Sequence, residues 1–125
     1  MRVSSFAAGC AVLAVAASAF AAGERLTIKT GEDLVTVCST DSASPYYIEA
    51  SSFCHGFANG AYQFYAAWTA REPERQFLCF KEPYPARDAL IREMVAWAKA
   101  NPQYLKESGV DLMFRFLAQR VPCAK

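Results

Sequence analysis

Four cysteines constrain this chain more than any other residues: Cys38, Cys54, Cys79 and Cys123, spread from near the start of the folded part to its end. What they do depends on the compartment, and the first two dozen residues address that. Arg2 supplies a positive start, and an apolar run rich in Ala and Val follows from 6 to 22. It closes on Ala19-Phe20-Ala21, with Ala17-Ser18-Ala19 as a second small-x-small option. This is the layout of a secretory signal peptide. The run is too short and too rich in Ala for a comfortable membrane span. Residues 1–22 are therefore read as a signal peptide that takes Cys10 with it, and residues 23–125 as one domain with no membrane association after signal removal. In so small an exported domain, four cysteines read as two disulfides, and three connectivities are open.

Charge excludes one class of partner. The chain holds 13 Lys+Arg and 12 Asp+Glu, and loss of Arg2 brings the two signs level at 12. A neutral domain with no basic cluster is a poor match for nucleic acid.

The hydrophobic pattern is helical throughout and predicts an all-α, four-helix domain stapled by the two disulfides. Residues 25–29 read as an extended lead-in. Thr30 reads as an N-cap, with Glu32 and Asp33 in the first turn of a helix over 31–39. A second helix is expected over 46–70, where Phe53, Phe57, Ala61, Phe64 and Trp68 recur at spacings of three and four and form an apolar stripe expected to face the core. Pro73 breaks it in a charged loop. "FLCF", 77–80, reads as a short buried anchor or strand-like piece. Pro83 and Pro85 delay the third helix, expected to run to 100 with Leu90, Ile91, Met94, Val95 and Ala98 inward. Asn101-Pro102 reads as a stop and an immediate new start, with a fourth helix to 120 burying Leu105, Leu112, Phe116 and Val121.

Those helices rank the three disulfide pairings. A hairpin of the first two helices brings Cys38 level with Cys54. A hairpin of the last two brings Cys79, before one, beside Cys123, after the other. Cys38–Cys54 with Cys79–Cys123 is the favoured arrangement.

The stretch "FCHGFANG", 53–60, looks like chemistry because it places Cys54 beside His55, the single histidine in the chain. Neighbours on a helix point about 100° apart, so the two side chains diverge. A disulfide-bonded sulfur is no nucleophile. Zinc-ligand spacing is absent, and haem attachment needs two cysteines before the histidine. The reading is therefore no catalytic residue, no metal and no cofactor, with His55 at or near the surface. Gly56 and Gly60 lie four apart on one face, where they read as a smooth groove for a helix backbone or a bulky aromatic.

In order and spacing, "GEDLVTVC" (31–38), "FCHGFANGAY" (53–62), "FLCF" (77–80), "NPQYL" (101–105) and "VPC" (121–123) resemble the Rap/Tai family of periplasmic immunity proteins of bacterial type VI secretion. The likeness covers about 27–123. "CFKEPYP" after Cys79 departs from the family's simpler turn. The family positions carried over, Gly31, Cys38, Cys54 to Gly60 and Pro122-Cys123, are structural. The resemblance implies a periplasmic, commonly homodimeric, non-catalytic protein that blocks the active-site cleft of a peptidoglycan amidase effector. An inhibitor of that kind needs a protruding segment. Two loops offer one: 69–76, where Arg71, Glu72, Glu74 and Arg75 supply polar contacts around Pro73, and 41–47. The first is favoured. A small acid-stress chaperone of the periplasm is the alternative function, and an enzyme is a remote third.

Overall fold

The computed structural model describes residues 26–124. The expected signal peptide lies outside them. Four helices follow in order: α1 (Gly31–Cys38), α2 (Tyr47–Thr69), α3 (Arg87–Ala100) and α4 (Gly109–Arg120). Single 3-10 turns occupy Pro73–Arg75 and Pro102–Tyr104. Among the described residues there are no strands beyond two isolated antiparallel bridges, Thr30 with Ser108 and Leu78 with Pro122. No described helix is long and apolar enough to cross a membrane.

The short α1 touches the other three helices and sits at the centre. Its start is fixed by a capping box. The Asp33 backbone N–H donates to Thr30 Oγ1 at 3.2 Å, and the Asp33 carboxylate accepts from the backbone N–H of Thr30 and of Lys29 at 2.8 and 3.0 Å. Those donations, Thr30 foremost, hold the Asp33 carboxyl below its ordinary value. Ser108 caps α4 in the same way, accepting from the Asp111 N–H at 3.1 Å.

The two capped starts clasp each other. Gly31 N–H donates to the Glu107 carbonyl at 2.8 Å, and Gly109 N–H to the Lys29 carbonyl at 3.1 Å. Such close backbone approach leaves no room for side chains. A Cβ on Gly31 would run into Leu112 Cδ1 and lie 3.0 Å from the Tyr104 carbonyl; one on Gly109 would lie 2.6 Å from Ile28 Cγ2. This clasp also corrects the start expected for the fourth helix. Pro102 opens only a 3-10 turn, and the helix waits for the Ser108 cap. Leu105 therefore lies in the connection, half-buried.

The core gathers Leu34 and Val35 from α1, Tyr65 from α2, Met94, Val95 and Ala98 from α3, and Leu112, Met113, Phe116 and Leu117 from α4. Both disulfides take the favoured pairing, Cys38–Cys54 and Cys79–Cys123. They span 16 and 44 residues and in the chain-entropy picture contribute about 3 and about 4 kcal/mol. The 77–80 piece behaves as an anchor. Leu78 is buried, Cys79 N–H donates to the Val121 carbonyl at 2.9 Å, and Cys123 N–H donates to that of Phe77 at 3.1 Å.

Candidate functional site: an exposed aromatic face on the long helix

Helix α2 has 23 residues and more apolar surface than the core receives. Its buried residues are Ala50, Cys54, Tyr65 and Thr69. The stripe expected to face inward, Phe53, Phe57, Ala61, Phe64 and Trp68, falls within about 80° around the axis and is centred about 70° away from them. Phe64 is 75 % exposed and Phe53 and Trp68 38 % each, while Phe57 and Ala61 are half-buried. The period was right and the face only partly so: Phe57 and Ala61 pack against the core, while Phe53, Phe64 and Trp68 do not reach it. Two anchors set the rotation of the helix. Cys54 is bonded to Cys38 on α1, and the Tyr65 hydroxyl accepts from the backbone N–H groups of Phe77 and Leu78 at 2.8 and 2.9 Å.

The glycine reading changes with it. Among the described residues, nothing lies within 4 Å of a Cβ built on Gly56 or Gly60. No described helix or aromatic packs there, so the expected groove is not filled within the described part of the chain. The two glycines leave a bare stretch on the exposed face between Phe53 and Phe64.

At its C-terminal end the face runs into the charged turn. Arg75 pairs with Glu72, and its guanidinium lies 5.4 Å from the Trp68 ring centroid. Arg71 and Glu74 are exposed and have no ion-pair partner among the described residues. Phe77, 41 % exposed, extends the aromatic surface past the turn, with its ring edge-on to Tyr65 at 5.0 Å. Of the four candidate residues of this loop, Arg75 is brought over Trp68, and Arg71, Glu72 and Glu74 lie in the same connection. The other loop considered, 41–47, sits at the opposite end of the helix, about 33 Å away. The two cannot enter one narrow cleft together.

His55 is half-buried on a different side. Its Nε2 lies 3.0 Å from Asp88 Oδ1 on α3, and Cys54 beside it is disulfide-bonded. The pair ties α2 to α3 at the surface, and the sulfur is not available as a nucleophile.

Phe64, Trp68 and Phe77 as binding residues were missed because they were assigned to the core. A signal was present: α2 is apolar on well over half its circumference, more than a surface helix needs.

An exposed aromatic surface ending in unpaired charges, on a scaffold held by two disulfides, has the composition that protein interfaces favour. Comparison with known families decides which kind of scaffold it is. The sequence model of the Rap1a immunity proteins matches residues 30–123. The chain belongs to that family. The match spans all four helices and both disulfides, and it bears out the resemblance read from the five motifs. Membership in the Rap1a immunity proteins implies a protein partner, the effector against which immunity is held. No curated protein and no solved structure matches the chain.

Proposed function

We propose that this Rap1a-family protein is exported to the periplasm and there binds and blocks a peptidoglycan amidase effector, of the type VI class, using the C-terminal end of α2. The observation that carries the reading is that the exposed Phe64 and Trp68 lead into the turn bearing Arg71 and Glu74, with Arg75 seated over the Trp68 ring. Aromatic anchors supply desolvated contact, and unpaired charges at their edge supply orientation. A turn shaped by Pro73 and by the Arg75–Glu72 pair loses little freedom on insertion into a cleft. Export is supported by the leader pattern and by two disulfides, which belong in an oxidising compartment. A second copy of the chain packs through the bare stretch at Gly56 and Gly60, where a backbone can approach closely, giving a homodimer.

The test uses purified peptidoglycan amidase effectors of the type VI class and follows release of stem-peptide fragments from purified peptidoglycan. Stoichiometric protein abolishes hydrolysis, and Phe64→Ser together with Trp68→Ala weakens inhibition by roughly thirtyfold or more, as loss of a hot spot does. Unchanged hydrolysis at saturating protein would overturn the reading. Sedimentation addresses the dimer: Gly60→Leu runs as a monomer at concentrations where the parent does not.

A further inference from the structure

Helix α2 packs closely on α1 but makes no comparable approach to α3 or α4. The space left between them is a groove of about 450 Å³. Its floor reaches the core residues Met94, Met113, Phe116 and Leu117. Its walls are aromatic, with Tyr62 edge-on to Phe80 at 5.5 Å and Tyr84 toward the opening. This groove is on a different side of α2 from the exposed aromatic face, and none of the residues of that face lines it.

Charge at the groove is one-sided. Arg87 is its single ionisable group apart from the two tyrosines, and no carboxylate lines it. Arg87 has no ion-pair partner among the described residues. The nearest carboxylate in sequence, Asp88, is turned to His55 at 3.0 Å and lines a separate cleft. Arg87 also opens α3, whose N-cap, Ala86, has no side chain able to cap it. The positive end of a 14-residue helix, partly offset by Asp88 in its first turn, adds to the guanidinium. Asn59 and Gln63 stand at the rim on the α2 side and offer amides.

Size and polarity together define an occupant. The volume lies in the range of small-molecule sites and exceeds what one side chain of a docked protein would fill. Two methionines in the floor adapt to a slender, flexible chain. A lone guanidinium with no anion matches a planar carboxylate, which it holds through two parallel hydrogen bonds. We propose that the groove between α2 and α3 binds a small amphipathic carboxylate, with its acyl chain on the Met94–Met113–Phe116 floor and its carboxylate at Arg87. This site is independent of effector binding.

Isothermal titration of the purified protein with dodecanoate, below its micelle concentration, tests the proposal. Binding is expected to saturate at one per chain. Dodecanol, lacking the charge, binds about tenfold more weakly, and Arg87→Gln brings dodecanoate down by about tenfold while leaving dodecanol unchanged, as loss of one charge-assisted contact predicts. Ala58→Trp fills the groove and abolishes binding of both. Gln63→Trp, at an exposed rim position, closes the mouth with the fold intact and serves if Ala58→Trp does not fold. Phe64→Ser leaves dodecanoate binding unchanged. The proposal is overturned by absence of saturable heat or by equal dodecanoate affinity in Arg87→Gln. Loss of binding in Phe64→Ser with retention in Gln63→Trp would also overturn it, by placing the chain on the exposed face.

Discussion

Phe64 and Tyr65 are neighbours on one helix, both aromatic, and one is 75 % exposed while the other is 5 % exposed. Tyr65 touches Tyr62, Phe77 and Phe114 and accepts two backbone hydrogen bonds through its hydroxyl. Phe64 has no ring contact among the described residues. The buried flank of α2 thus holds the fold together: Cys54 ties it to α1, and Tyr65 ties it to the 77–80 anchor. The exposed flank contributes less: Phe57 and Ala61 at its edge pack against the core and Trp68 meets Arg75, while Phe64 stands in solvent. Apolar surface that contributes no internal packing is costly to solubility and is explained by a partner. In the proposed function, stability and recognition are separated on this helix by about a quarter-turn.

The largest expected effect tests that separation directly. Tyr65→Ala should cost about 3–5 kcal/mol, because it opens a core space and leaves the buried Leu78 N–H and the part-buried Phe77 N–H without their acceptor. Phe64→Ser should stay within about 0.5 kcal/mol, as for an exposed position without special contacts. Urea midpoints of the two variants settle it. A Phe64→Ser cost matching that of Tyr65→Ala would mean that the outer flank is part of the fold.

The glycines sharpen the same contrast at smaller scale. Gly31→Ala meets Leu112 and two backbone carbonyls at the clasp and should destabilise by about 1–3 kcal/mol. Gly60→Ala meets nothing among the described residues and should stabilise by up to about 1 kcal/mol through helix propensity, in solutions dilute enough to keep the chain monomeric. Equal losses at both positions in denaturation curves would show that Gly60 is packed after all.

The smallest effect belongs to His55. It reaches Asp88 across the helix boundary, but at a surface where ion pairs contribute little. His55→Ala should shift the thermal midpoint by no more than about 0.5 kcal/mol allows. A large drop would make this pair, rather than the Cys54 and Tyr65 anchors, the element that sets the rotation of α2.

Much of the fold was legible. Thr30 with Asp33 announced the first helix, and Pro83 and Pro85 delayed the third. The hairpins implied by short connections chose the disulfides correctly, because a disulfide demands Cα atoms a few ångströms apart and only one pairing placed both sets of ends together. The fourth helix was started too early because Asn101-Pro102 is a strong local signal. The later Ser108 cap acts together with a backbone partner, Lys29, far away in sequence. The wrong glycines were chosen for a related reason. Gly56 and Gly60 have helical spacing that can be read along the chain, whereas the crowding at Gly31 and Gly109 arises only where two helix starts meet.

By itself the sequence determined what is local: helix number, the Thr30 cap, the breaks at proline and the family motifs, and it ranked the disulfide pairings. Helical periodicity fixed that α2 has an apolar stripe. It could not fix which stripe is buried, because α2 carries apolar residues on two adjacent flanks and a period of 3.6 describes both equally well. That choice was made by contacts distant in sequence, Cys38 to Cys54 and Tyr65 to the Phe77 and Leu78 backbone, which set the rotation of the helix about its axis. The aromatic face and the acyl-sized groove are both consequences of that rotation, so only the tertiary structure could reveal them.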